Sequence, residues 1–316
     1  MVLNRKGVVF TLIAILISGF LFILYATEYR PKENSLLPVI TNRIRILDRH
    51  NENFVKYTLE SMDISTYKAM NGMIAHIDDH GFFPDFESAF TECVQNGTLN
   101  DGVDVCPDMA NGTLPYWLNE TINISRNRLG FNVTYTIQGI RISQPLPFQV
   151  QVEVDLHYEV WDVFATINRT VSLRRLVSIE GLMDPLYVGS GTYNNSIAAA
   201  PTRDDAWNVG TLHLMIENRT YRHHTDAPSF LLRFEGSLLN STCCGIESMI
   251  HPAEVGAFDN RSFVDFLFWN ETELCGGIPP QIVYKIDDPR YDPKFRLEER
   301  HLVAYNISSD QWISGC

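Results

Sequence analysis

The residues whose types and spacing could do chemistry begin with a pair of histidines. His76 and His80 lie four residues apart, a spacing that places two imidazoles on one face of a helix, where they can bind zinc. A zinc protease of the HExxH type also needs a glutamate directly after the first histidine as its general base, and this chain has Ile77 there. The sequence therefore excludes that class of protease, and we interpret the pair as the end of a helix.

A second group of metal-binding side-chain types lies between Tyr221 and Pro228. His223, His224 and Asp226 could bind a divalent cation or could form a solvated turn, and we predict the turn. A surface hydrolase would require three or more members of a wider set to converge in one cleft. That set is His223, His224, Asp226, His251 and Asp287.

Other motifs with a chemical meaning are incomplete. The segment Asn100–Asp104 lacks the ligand spacing and terminal glutamate of a calcium loop, and Gly189-Ser190-Gly191 lacks the G-x-S-x-G pattern of a nucleophile elbow. The sequence contains no P-loop or dinucleotide fingerprint. It therefore predicts no enzyme, with no catalytic, cofactor-binding or metal-binding residue and no cofactor.

Asparagine followed two positions later by serine or threonine is the most frequent motif of the chain. Of 22 Asn, 12 begin such a triplet, whereas 19 Ser and 20 Thr in 316 residues predict about three by chance. None of the triplets has proline in the middle, and all lie beyond residue 95. We therefore expect the C-terminal bulk to be translocated and N-glycosylated at these positions: Asn96, Asn111, Asn119, Asn123, Asn132, Asn168, Asn194, Asn218, Asn240, Asn260, Asn270 and Asn306.

The cysteines also indicate an oxidising compartment. None of the six forms a CxxC pair, so disulfides are a better prediction than a zinc site. We expect Cys93 to pair with Cys106 across a short, turn-rich segment. We expect the adjacent Cys243 and Cys244 to take different partners from Cys275 and Cys316.

One apolar segment lies near the N-terminus. The uncharged window Gly7–Thr27 is 21 residues long, which at ~1.5 Å per residue spans a hydrocarbon core of ~30 Å. Arg5 and Lys6 precede it and no clear small-x-small cleavage site follows it. We predict an uncleaved membrane anchor with a cytoplasmic N-terminus, and a cleaved signal peptide is the alternative. The anchor residues are Val8, Phe10, Leu12, Ile15, Leu21 and Tyr25.

Helical periodicity begins after a hinge that contains Pro31 and Pro38. Apolar residues recur at spacings of three and four between Leu37 and Ile77, with Asn51 as a polar exception, and this pattern predicts a long amphipathic helix. Asn71-Gly72 is a possible kink, and His80-Gly81 with Pro84 should end the helix. Shorter helices are expected before Cys93 and from Pro115 to Leu129.

The period changes from 3.6 to 2 after Gly130. Val150, Val152, Val154, Leu156, Tyr158 and Val160 alternate with polar residues, which predicts a strand buried on one face. Similar runs on either side, separated by short connections, predict an antiparallel meander. We expect the acidic wet face of the middle strand to pair with Arg141, Arg169, Arg174 and Arg175.

Predictions for the remainder are coarser. Residues 181–211 are predicted to be a loop, followed by short strands near 211–216, 229–234 and 262–269 and a short helix at 245–250. One or two helical turns are expected in the segment RLEERHLVAYNI.

The overall composition indicates a folded protein and excludes one class of partner. Hydrophobic residues make up 45% of the chain, which is typical of a folded protein. The formal net charge is -13, so the field of the protein repels phosphate backbones and nucleic acid is excluded as an expected partner.

The N-terminus resembles a known family of signals. Arg5-Lys6-Gly7 followed by VVFTLIAILI is similar to the class III signal peptide of the type IV pilin superfamily. The resemblance implies processing between Gly7 and Val8, a retained apolar half-helix, and association with other pilin-like subunits. Leu12 occupies the position at which bacterial pilins carry glutamate.

The rest of the chain resembles uncharacterised archaeal membrane-anchored surface proteins. The segments that carry this resemblance are RIRILDRHNENFVKYTLESMDISTYKAM, APSFLLRFEGSLLNSTCCGIESMIHP, RSFVDFLFW and FRLEERHLVAYNI. The resemblance implies a location and a family and brings no known activity.

The expected fold class is α+β, with a transmembrane helix, a long amphipathic helix, and an antiparallel β-meander head with short helices. The expected divisions are residues 1–27 as cytoplasmic tip and anchor, 28–92 as hinge and helical segment, and 93–316 as the extracellular glycosylated domain. The function predicted is a single-pass cell-membrane glycoprotein, pilin-like or structural. An anchored binding or adhesion module and a surface hydrolase are the alternatives.

Overall fold

The computed structural model describes residues 15–23, 37–100, 102–203, 206–255, 261–270, 282–291 and 295–314. Within these ranges the chain is a mixed α+β protein with antiparallel sheets and one long helix, as the sequence predicts. Several predicted residues lie outside the described ranges: Lys6, Gly7, Val8, Phe10, Leu12, Tyr25, Asn260, Cys275 and Cys316.

Residues 15–23 are helical, and their apolar side chains, including those of Ile15 and Leu21, are exposed. Among the residues that the structure describes, no helix is both long enough and apolar enough to cross a membrane.

Helix α1 (Leu37–His80) is the longest element. The predicted apolar face is buried from Leu47 to Ile77, and Asn51 is buried with it, whereas Ile44 near the start of the predicted face is exposed. Gly81 ends the helix with a φ of 83°, a left-handed conformation that glycine adopts without steric cost. Gly72 lies inside the helix because the Pro107 carbonyl oxygen passes so close that a Cβ there would lie 2.1 Å from it. Close packing, not a break at Asn71-Gly72, thus accounts for this glycine.

Two short helices pack near the end of α1. Helix α2 (Phe86–Asn96) begins at Asp85, whose carboxylate accepts a hydrogen bond from the Ser88 amide, and ends at Gly97. A small hairpin follows, formed by β1 (Thr98–Leu99) and β2 (Asp104–Val105). Helix α3 (Leu114–Ile124) continues through one wider turn at Ser125–Leu129 to Gly130. Both helices lie where the sequence predicts them.

Three antiparallel strands form the predicted meander: β3 (Asn132–Leu146), β4 (Gln149–Trp161) and β5 (Thr166–Ser178). Strand β4 is central and pairs with β3 through Ile137↔Leu156 and with β5 through Leu156↔Val171. All six predicted inward residues of β4 are buried. Helix α1 lies against this face, where the Phe54 and Tyr158 rings are 5.1 Å apart.

The wet face of the sheet carries ion pairs from two of the four predicted arginines, Arg141 and Arg174, whereas Arg169 lies opposite the inward residue Tyr158. Arg141 lies 2.8 Å from Asp155, and Arg174 lies 3.2 Å from Glu153. The predicted pairing of Arg175 with the acidic face of β4 is wrong. Its register partner is the inward residue Val152, and its guanidinium donates instead to Asp63 on α1. This arginine ties helix to sheet.

The C-terminal half consists of short elements. The helices are α4 (Pro185–Ser190), α5 (Val209–Glu217), α6 (Phe230–Phe234), α7 (Asp265–Trp269) and α8 (Glu299–Ala304). The strands are β6 (Arg222–His223), β7 (Ile246–Glu247), β8 (Val283–Ile286), β9 (Arg296–Glu298) and β10 (Trp312–Ser314). Strand β6 pairs with β7, and a separate sheet has the order β10-β8-β9.

Several predictions for this half are wrong. The three predicted strands at 211–216, 229–234 and 262–269 overlap helices α5, α6 and α7, and the predicted helix at 245–250 contains strand β7. Residues 185–190, predicted to be loop, form α4. Side chains of Asn208 and Ser229 cap the first turns of α5 and α6, and such caps start a helix even in a short apolar run.

Two disulfides occur among the residues that the structure describes. Cys93 is bonded to Cys106, as predicted. Cys243 is bonded to its neighbour Cys244, so the prediction that these two take separate partners is wrong. Direct bonding satisfies both thiols without a partner from elsewhere in the chain.

Candidate functional site

Three side chains that could share one metal ion meet in the C-terminal half. His224 follows β6, Glu247 belongs to β7, and His301 belongs to α8. One ligand atom from each lies within 4.8 Å of the others. Pairing of β6 with β7 brings the first two together, and α8 supplies the third. We call these residues the His-Glu-His cluster.

The distances within the His-Glu-His cluster are short. Glu247 Oε2 lies 2.9 Å from His301 Nε2 and 3.3 Å from His224 Nδ1. Burial decreases from one side to the other, because the Glu247 side chain is 0% exposed, that of His301 5%, and that of His224 18%. The cluster is therefore an interior site that reaches solvent at His224.

Further polar groups hold the cluster in place. The Tyr305 hydroxyl donates a 2.8 Å hydrogen bond to Glu247 Oε1, the oxygen that the histidines leave free. On the far side of the His301 ring, Nδ1 contacts Glu298, whose other oxygen accepts a hydrogen bond from the Ser262 hydroxyl. Both ring nitrogens of His301 thus contact carboxylates, which fix the orientation of the ring.

The Glu247 carboxyl of the cluster is ionised at neutral pH. Burial by itself raises the pKa of the Glu247 carboxyl, but His301, His224 and the Tyr305 hydroxyl outweigh burial and lower it to about 2. Burial lowers the pKa of His224, and the neighbouring His301 lowers it further, against the effect of Glu247. Below neutrality His224 therefore resists protonation and keeps an imidazole lone pair.

A second buried cluster lies on the other side of β7. Arg233 Nη1 lies 2.6 Å from Asp184 and 2.9 Å from Asp265, and all three side chains are fully buried. Ser248 and Tyr221 donate to the two carboxylates. Burial alone lowers the pKa of Arg233, but Asp184 and Asp265 outweigh it and raise the pKa. This arrangement is a hydrogen-bonded ion triad that joins α4, α6 and α7.

The side chains proposed for a hydrolase do not converge. His223 Nε2 lies 3.0 Å from the Cys243 carbonyl oxygen, and Asp226 pairs with Arg300. His251 lies 3.9 Å from Glu217. Of the predicted set only His224 belongs to the His-Glu-His cluster.

The first histidine pair has a different environment. His76 and His80 stack with ring centroids 4.1 Å apart at the end of α1, and one potential ligand atom each of these histidines and of Asp104 in β2 lie within 4.8 Å of one another. His76 is buried against Phe83, whereas His80 is exposed. The pair ends the helix, as predicted, and forms a second, more open group of metal-ligand types.

Two of the three members of the His-Glu-His cluster were missed from the sequence. Glu247 lies between Ile246 and Ser248 in the mostly apolar segment GIESMI, and His301 follows three charged residues, so neither has a local motif. The one available signal was an acidic residue inside an apolar run, which requires a buried partner when it is not exposed.

Most of the sequon asparagines lie on the surface. Eleven of the twelve are described; ten are exposed and Asn132 is half-buried. The fully buried asparagines among the described residues are Asn51 and Asn195, and neither begins a sequon. Asn195 illustrates the division, because it donates to Tyr221 in the interior while its sequon neighbour Asn194 is exposed.

Comparison with protein-family models, curated proteins and solved structures finds no match to this chain.

Proposed function

We propose that the chain is a single-pass, membrane-anchored, N-glycosylated cell-surface protein with a pilin-like or structural role. Its N-terminus is cytoplasmic and residues 93–316 are extracellular. The observation that carries the proposal is the number of glycan acceptors, because 12 sequons occur where about three are expected by chance, and none of the described ones is buried.

The disulfides support the same location. Two bridges occur among the described residues, and disulfides persist in oxidising compartments outside the cytosol. An extracellular head accounts for both the bridges and the sequons.

The described part of the apolar segment supports an anchor. Residues 15–23 are helical, and seven large apolar side chains there are exposed. Exposed apolar surface of this kind is costly in water and favourable in a lipid bilayer or against apolar partners. The full uncharged window has the length that a bilayer requires.

Helix α1 supports the pilin-like form of the proposal. Its inner face packs on the meander, whereas Val39, Ile46, Tyr57 and Ile64 are exposed. Spacings of seven and eleven residues return to the same side of a helix. This apolar stripe fits a neighbouring copy of the same chain, as expected of a subunit that associates through its long helix.

An anchored binding or adhesion module is the second candidate. It shares the anchor and the glycans but needs neither processing nor association of α1. A surface hydrolase is less well supported, because His223, Asp226 and His251 make separate contacts.

The N-terminal mass of protein purified from membranes of its native cells distinguishes the two main candidates. Loss of residues 1–7 supports the pilin-like form, and an intact N-terminus supports the anchored module. Recovery of the protein in the soluble fraction, lacking the whole apolar segment, would contradict both.

A further inference from the structure

The His-Glu-His cluster has the chemistry of a site for a transition metal. Two imidazole nitrogens and one carboxylate oxygen form a donor set that zinc and related divalent ions use, whereas calcium and magnesium prefer oxygen ligands alone. Ligands about 2.0–2.1 Å from a tetrahedral zinc ion lie roughly 3.3 Å from one another. The separations of Glu247 from His224 and His301, 3.3 and 2.9 Å, are close to that value.

The hydrogen bonding of the cluster leaves room for an ion. His224 Nδ1 is buried, faces Glu247, and has no hydrogen-bond partner among the described residues. A buried nitrogen without a partner is costly. A cation between the two side chains would satisfy that nitrogen.

The surroundings match the outer layer of a metal site. Metal-binding histidines commonly face a carboxylate with their second nitrogen, and metal-binding carboxylates are themselves hydrogen-bonded. His301 Nδ1 contacts Glu298, and Glu247 Oε1 accepts from Tyr305. Each buried ligand is thus oriented by a second group.

We propose that His224, Glu247 and His301 bind one divalent transition-metal ion of the zinc class. Two ligands are buried, and at the partly exposed His224 a water molecule can take the fourth position of a tetrahedral ion. The ion joins β6, β7 and α8, segments distant in the sequence, and stabilises the folded chain by binding it in preference to the unfolded chain.

A metal-free ion pair is the competing explanation. A protonated His301 between Glu247 and Glu298 would satisfy both carboxylates, but it would leave His224 Nδ1 without a partner. The two explanations differ in whether His224 matters, and the adjacent His223 is a matched control because it contacts the Cys243 carbonyl instead.

The test uses full-length protein in detergent, stripped with a chelator and titrated with zinc chloride and cobalt chloride. We expect one tightly bound metal ion per protein molecule, a rise in the melting temperature of the protein with zinc, and cobalt absorption typical of tetrahedral coordination. His224→Gln should abolish all three, and His223→Gln should retain them. Tyr305→Phe should weaken binding by about 10–100-fold, the usual effect of losing an outer-layer contact.

His80→Gln separates this site from the group at the end of α1. Zinc binding that survives His224→Gln but is lost in His80→Gln would overturn the proposal, as would absence of binding by the wild-type protein. Since His224 is partly exposed, its substitution should leave the circular dichroism spectrum of the metal-free protein unchanged.

Discussion

The Tyr158 hydroxyl donates a 2.8 Å hydrogen bond to Asn51 Oδ1, joining the central strand β4 to helix α1 inside the core. Asn51 is the polar exception on an otherwise apolar helix face, and Tyr158 is the one inward residue of β4 that carries a donor. The pair specifies how the helix lies along the sheet.

Substitution of Tyr158 by phenylalanine should therefore destabilise the protein. Asn51 would remain buried without its donor, and the free energy of unfolding should fall by about 1–3 kcal/mol in urea denaturation. Tyr57→Phe, at an exposed position of the same helix, should have little effect. Equal stability of Tyr158→Phe and wild type would show that the bond does not contribute.

Removal of the buried arginine should have a larger effect. Arg233→Met leaves Asp184 and Asp265 buried without their cation, and loss of one partner of such a cluster costs about 3–5 kcal/mol. Arg174→Met, which removes an exposed arginine paired with Glu153, should cost at most about 1 kcal/mol. Similar losses of unfolding free energy in the two variants would contradict the conclusion that Arg233 compensates the buried charges of Asp184 and Asp265.

The two disulfides should contribute unequally to stability. Cys93 and Cys106 are 13 positions apart, whereas Cys243 and Cys244 are adjacent. Because a bridge restricts the unfolded chain more when it closes a longer loop, the double alanine variant of the first pair should lose about 2–4 kcal/mol and that of the second clearly less. Thermal or urea unfolding of both variants measures the difference, and a larger loss for the adjacent pair would refute the argument.

Peptide mapping checks the bridges themselves. Under non-reducing conditions the peptide with Cys243 and Cys244 should be lighter by two hydrogens and unlinked to any other. Linkage of either residue to Cys275 or Cys316 would restore the pairing expected from the sequence.

The stability of the protein should fall on acidification, in part because His50 is buried. This histidine is buried beside the Phe131 ring, and burial lowers its pKa. As the pH falls below about 6.5, the unfolded chain takes up this proton more readily than the folded one, so stability is lost. His50→Leu should lose less free energy of unfolding than wild type between about pH 7.5 and 5.5. An identical loss in both proteins would assign the effect to other groups.

Long periodic elements and the short helices α2 and α3 were predictable, whereas most of the short elements of the C-terminal half were not. Helix α1 and strand β4 repeat their apolar pattern many times, so one polar exception such as Asn51 does not obscure it. Helices α6 and α7 have five residues each, too few to distinguish a helical period from that of a strand. The His-Glu-His cluster depends on contacts between segments distant in the sequence, which no local pattern records.

Glycopeptide mass spectrometry of the protein from membranes of its native cells tests the central claim most directly. We expect glycans on most of the exposed sequon asparagines, such as Asn96, Asn168 and Asn194, and none on the buried Asn51 and Asn195. Unmodified asparagines throughout residues 93–316 would contradict an extracellular, glycosylated head.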